Sequence, residues 1–141
     1  MELPPTHRVR SSFFYFLILQ IDWIWNFVNT IVILVLQSLK VYSFPMTYNS
    51  MVFSVIAPLF LCVLCLLKIN IAKPGNRSES SFLIIIAILF CLGCGLMDIY
   101  FIYWQPYEWS WELTFHIISL VMEGIIFLFS CLMMIVFLSG K

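Results

Sequence analysis

The sequence predicts an all-α integral membrane protein: a four-helix bundle of four transmembrane spans, with short loops and both termini in the cytosol. Three observations predict it. The chain is 63% hydrophobic and only 10% charged, with a mean hydropathy of +1.06, whereas a soluble domain is about 45–50% apolar and about 25% charged. It contains four apolar runs long enough to cross a bilayer, which takes about 20 residues for about 30 Å of hydrocarbon. Its basic residues fall almost entirely on one side of those runs.

The first span covers about residues 13–39. Its apolar run exceeds the ~7–15 residues of a signal-peptide core, and no small-x-small cleavage site follows, so it reads as a retained signal anchor. Residues 39–45 turn the chain, and Pro45 stops the helix because it lacks an N–H and restricts the residue before it. The second span covers about 46–69, and the stretch "NIAKPGNRSES" after it has the composition of a loop. The third covers about 81–104, Pro106 lies in the connection "QPYEWSW", and the fourth covers about 113–138. Residues 1–141 form a single membrane domain on this reading, since the gaps hold no soluble unit.

With four spans, both termini share a side with the second loop. That side carries Arg8, Arg10, Lys68, Lys73, Arg77 and Lys141, against Lys40 alone on the other, which places the termini in the cytosol by the positive-inside rule. The opposite side collects Glu108 and Glu112 with Tyr100, Tyr103, Trp104, Tyr107, Trp109 and Trp111, an aromatic belt suited to the headgroup layer. Asn76-Arg77-Ser78 matches the N-glycosylation pattern but lies in a cytosolic loop on this topology, so modification is not expected.

Within the first span, "LQIDWIWNFVNTIVILVLQ" places Asp22, Asn26, Asn29 and Gln37 on one helical face, while Ile24, Phe27, Ile31 and Leu34 fall elsewhere and can meet lipid. Asp22 is at mid-depth, where an ionised acid costs roughly 2.5–3.5 kcal/mol on insertion scales without a partner. Glu123 lies at similar depth in the fourth span, and Asp98 lies near the outer end of the third. The spans as drawn hold no Lys or Arg at that depth. An intrachain salt bridge is therefore not expected, and one acid is expected to carry a proton. The six polar residues Asp22, Asn26, Asn29, Gln37, Asp98 and Glu123 read as contacts between helices or with a partner, worth about 0.6–2 kcal/mol each. A proton or cation path through a small transporter or channel subunit is the alternative reading.

Cys62/Cys65 and Cys91/Cys94 have CxxC spacing. Zinc binding or membrane thiol oxidoreduction would need thiolates, which apolar surroundings disfavour, so these cysteines read as small hydrophobes and no metal or cofactor is expected. Gly93, Gly95 and Gly124 mark places where helix backbones can approach. His7 and His116 are isolated in the sequence, and no Ser-His-Asp set, phosphate loop or metalloprotease motif occurs. The net charge of zero gives no reason to expect nucleic acid, and nothing points to an enzyme or a small-molecule substrate.

The ordered combination of Trp25-Asn26 in the first span, "KVYSFPMTYN" after it, "LLKINIAKPGN" closing the second, and "SWEL" opening the fourth resembles a known family. It is similar to the small tetraspan proteins of the ciliary transition zone, the transmembrane-protein-seventeen-like family associated with the Meckel–Joubert module. The resemblance spans about residues 11–138. It marks Trp25, Asn26, Lys40, Pro45, Asn49, Lys68, Gly75, Asn76 and Glu112 as structural positions: span ends, a proline stop, and a turn in which Gly75 supplies a positive φ and Asn76 tolerates one. Two features depart from the family pattern: the proline before Gly75, and Glu123. The resemblance implies a non-enzymatic scaffold subunit at the cilium base. Such a subunit supports ciliogenesis and restricts which membrane proteins enter, alongside tectonic-type and C2/coiled-coil partners.

Overall fold

A computed structural model describes residues 12–104 and 109–140. Arg8, Arg10, His7, Pro106, Tyr107, Glu108 and Lys141, invoked above for orientation, the third connection and the aromatic belt, lie outside the described residues. Among those described there is no strand, and the four helices are α1 (Phe13–Ser43), α2 (Tyr48–Arg77), α3 (Ser81–Tyr103) and α4 (Ser110–Ser139). All four are long and apolar enough to cross a membrane.

Each helix packs on its neighbours in chain order, and α4 closes the ring on α1. Short connections make neighbours antiparallel, as in an up-down-up-down bundle. Ser12 caps α1, its hydroxyl accepting from Tyr15 N–H at 3.2 Å, and Thr47 caps α2 by accepting from Ser50 N–H. These caps satisfy N–H groups that have no partner within their own helix.

The second connection differs from the expected loop. Helix α2 continues through Lys73, Pro74, Gly75 and Asn76 to Arg77, leaving only Ser78–Ser80 between helices. Two expectations fall with the loop. Gly75 has no positive φ; the residue that does is Glu79, at 54°. Gly75 is required by space instead, since a Cβ there would lie 2.9 Å from Leu83 Cβ and 3.2 Å from Ile84 Cδ1. Asn76 is likewise helical and buried rather than a turn residue. Its carboxamide accepts from Ser12 N–H at 3.0 Å and donates to Ser12 C=O at 2.9 Å, fastening the start of α1 to the end of α2. Lys73 adds a hydrogen bond to Gln20 at 2.7 Å and sits over the Phe16 ring.

The buried positions of α1 are Tyr15, Leu19, Asp22, Asn26, Asn29, Ile33, Gln37 and Lys40, and those of α4 are Glu112, His116, Ser119, Glu123, Ile126, Ser130, Met133 and Phe137. Both sets advance almost entirely by alternating steps of four and three, the register of a helix seam facing its neighbours. Large apolar side chains cover the outside: Ile24, Phe27, Ile31, Leu89, Leu96, Leu128 and Leu132 are all exposed. Apolar clusters around Leu19, Ile84 and Ile126 and around Leu61 and Phe101 share the interior with the polar residues, so the bundle has a mixed interior and an apolar exterior, unlike a soluble bundle. Of the residues expected in an aromatic belt, Tyr103, Trp104 and Trp111 are exposed, whereas Tyr100 and Trp109 are half-buried and Tyr100 packs against the core.

Candidate functional site: a polar ladder inside the bundle

The polar residues of the interior form successive rungs along the bundle axis. At one end Lys40 and Gln37 of α1 reach the same carboxylate on α4. Lys40 is ion-paired to Glu112 with both side chains buried, and Gln37 donates to Glu112 Oε1 at 2.8 Å. One turn deeper His116 stacks flat on Phe101 at 4.6 Å, its Nδ1 lying 3.4 Å from Asp98 Oδ1. Next, Ser119 Oγ accepts from Trp25 Nε1 at 2.8 Å and from Asn29 at 3.2 Å. Beyond the middle rung, Tyr15 and Ser130 hydrogen-bond at 2.7 Å. From Glu112 to Ser130 the ladder covers about 27 Å at about 1.5 Å per residue.

The middle rung is the most highly charged. Lys68 of α2 lies 2.5 Å from Glu123 Oε1 and 2.8 Å from Asp22 Oδ2, all three buried. The contact to Asp22 Oδ2 lacks hydrogen-bonding alignment and acts as an ion pair. Asn26 donates to Asp22 Oδ1 at 2.9 Å and also to Asp22 C=O, bracing that carboxylate from its own helix. The Cys91 thiol donates to Glu123 Oε2 at 3.1 Å. Cys65 and Cys94 place their sulfurs 3.3 Å apart beside the same acid.

This arrangement overturns the expectation that no intrachain salt bridge is available. The reason is the length of α2. Because the helix runs to Arg77, Lys68 stands nine residues inside its end, about 13 Å at about 1.5 Å per residue, and not at the membrane face. Lys40, read as a lone outer charge, is likewise an interior residue. His116, isolated in the sequence, finds Asp98 in space. The stripe Asp22, Asn26, Asn29 and Gln37 therefore faces the other helices of its own chain, as do Asp98 and Glu123. Sequence reasoning missed Lys68, Glu112, His116, Ser119 and Ser130 as members of the ladder. On α4 a signal was present, since Glu112, His116, Ser119, Glu123 and Ser130 share one helical face.

Of the positions marked by the family resemblance, Trp25, Asn26, Lys40, Lys68 and Glu112 are members of the ladder, and Asn76 fastens two helix ends. Pro45 follows α1, and Asn49 lies exposed in the first turn of α2.

Two chemical uses of the cluster can be judged from its geometry. Ligand atoms of Cys65, Cys94 and Glu123 lie within 4.8 Å of one another, as a metal site would need. The Lys68 ammonium, however, already supplies the positive charge against Glu123 that a cation would bring. One ammonium is shared by two carboxylates, so charge balances only if one acid carries a proton, as the sequence led one to expect; either way the Lys68 contacts make a fixed internal tie. The CxxC spacing is also not the functional pairing: the two cysteines in contact, Cys65 and Cys94, come from different motifs and different helices. Comparison of the chain with family models, with curated proteins and with solved structures finds no match in any of the three.

Proposed function

We propose that this chain is a non-enzymatic, multi-pass membrane scaffold that inserts all four helices, keeps both termini in the cytosol, and offers its apolar exterior to lipid and to the spans of partner proteins. The observation that carries this reading is where the polar groups are used. Every acid and every lysine of the middle and end rungs is paired within the chain, so the bundle is fastened from inside and its outer faces are left predominantly apolar. In a bilayer, where apolar faces gain little from leaving lipid, internal polar ties of this kind hold helices together. An internally tied bundle with minimal loops contributes surfaces for assembly.

The more specific reading is a subunit of the ciliary transition-zone complex, supporting cilium assembly and restricting which membrane proteins enter, with tectonic-type and C2/coiled-coil proteins as partners. It rests on the resemblance described above. Its support from the fold is that Asn26, Lys40, Lys68 and Glu112, marked by that resemblance, serve the bundle's internal ties. A tagged full-length chain expressed at native level in ciliated cells is expected to concentrate at the cilium base and to co-purify with other transition-zone membrane proteins. Uniform endoplasmic-reticulum staining, or purification without such companions, would overturn the assignment.

A further inference from the structure

We propose that Cys65 and Cys94 form a redox-active dithiol within the bundle, which a membrane-soluble two-electron oxidant of the quinone class closes to a disulfide joining α2 to α3. The inference stands independently of the ciliary assignment. Three observations lead to it.

The first is proximity. The two sulfurs are 3.3 Å apart on neighbouring helices, and both residues are buried. A disulfide needs about 2.05 Å between sulfurs, so closure asks for a small approach of side chains already in contact. Cys62 and Cys131, by contrast, are only partly buried and belong to no comparable pair among the described residues.

The second is a proton acceptor. Glu123 Oε1 lies 4.0 Å from Cys65 Sγ, and its other oxygen accepts from Cys91 at 3.1 Å. Lys68 is already shared by Asp22 and Glu123, so the proton of a reacting thiol has to pass to a carboxylate. A thiolate is the reactive form of cysteine, and Glu123 is the base within reach of Cys65 that can take the thiol proton as the sulfur reacts.

The third is a route. A crevice of about 390 Å³ is lined by α3 and α4 residues including Gly95, Leu96, Leu120 and Gly124; neither sulfur of the dithiol lines it, but it reaches Cys91 and Glu123, the acid 4.0 Å from Cys65. A Cβ on Gly124 would meet nothing within 4 Å, and one on Gly95 would meet only Leu120, at 4.0 Å. An uncharged ring dissolved among acyl chains can enter such an apolar crevice; a charged aqueous oxidant cannot.

The step balances. The S–H bonds of Cys65 and Cys94 break and one S–S bond forms, so the two sulfurs lose two electrons and two protons. The quinone gains both and leaves as the hydroquinone, with two new O–H bonds. Glu123 is the first acceptor of the proton leaving Cys65.

The test uses the full-length chain in lipid nanodiscs, treated with a decyl-substituted benzoquinone, acid-quenched, alkylated with N-ethylmaleimide, and digested without reductant for mass spectrometry. The expected result is a peptide pair linked through Cys65 and Cys94, one hydroquinone per linked chain, and alkylated Cys62 and Cys131. A Cys62→Ser/Cys131→Ser variant should behave identically, Cys94→Ser should form no link, and Glu123→Gln should slow linkage at least tenfold. Alkylation of both Cys65 and Cys94 in the quinone-treated wild type would overturn the proposal. So would linkage of any other pair, or linkage by water-soluble diamide but not by the quinone.

Discussion

Lys68 carries more of the interior electrostatics than any other residue. One ammonium of α2 meets two carboxylates, one from adjacent α1 and one from α4 across the bundle, and the remaining carboxylate oxygens are met by Asn26 and Cys91. Removing one partner from a buried ion cluster leaves charge uncompensated and costs about 3–5 kcal/mol, whereas replacing the whole cluster by neutral groups of similar shape is far less harmful. Lys68→Met is therefore expected to lower the thermal-unfolding midpoint of the detergent-solubilised protein sharply. The triple variant Asp22→Asn, Lys68→Met, Glu123→Gln should recover most of that loss. An unchanged midpoint for Lys68→Met alone would mean that the three charges are not coupled.

At the scale of elements, the junction of α2 and α3 shows how a loop-like sequence can be helical. Pro74 removes one backbone donor and Gly75 weakens the local helix preference. Yet the segment stays helical because Asn76 and Lys73 are tied to α1 and because Gly75 admits the start of α3 against it. Gly75→Ala sets two effects against each other. The gain in helix preference is about 0.5–1 kcal/mol. Against it, the new methyl would lie 2.9 Å from Leu83 Cβ, an atom tied directly to the α3 backbone, and overpacking of that kind costs about 1–3 kcal/mol. The clash should win. Gly75→Ala is expected to be destabilising, measured as a lowered unfolding midpoint, while Gly124→Ala, with open space around it, should be neutral or slightly stabilising.

At the scale of the whole molecule, the proposed orientation rests on fewer charges than the sequence count supplied. Lys40 and Lys68 are interior residues and drop out of the charge count at the membrane faces. The remaining basic residues, Arg8, Arg10, Lys73, Arg77 and Lys141, then all fall on the side assigned to the cytosol. Tags at both termini are expected to be reached by antibody once the plasma membrane alone is permeabilised. A glycosylation acceptor inserted between α3 and α4 should be modified and Asn76 should not. A glycan on Asn76 would invert the topology and would also require its hydrogen bonds to Ser12 to break.

The number and order of the helices were legible in the chain, though not the length of α2, because apolar runs of membrane-spanning length separated by polar, proline-containing gaps leave a helical backbone as the way to satisfy their own N–H and C=O groups. So was the inward stripe of α1, since Asp22, Asn26, Asn29 and Gln37 repeat at helical spacing. Which group would neutralise Asp22 was not legible. Lys68 lies 46 residues away in sequence, and its depth depends on where α2 ends, which is set by contacts of Lys73, Gly75 and Asn76 with other helices. The pairing of Cys65 with Cys94 was hidden for the same reason: a CxxC motif records neighbours along one helix, whereas sulfur–sulfur contact is decided by how two helices are set against each other. Tertiary packing alone brought those groups together.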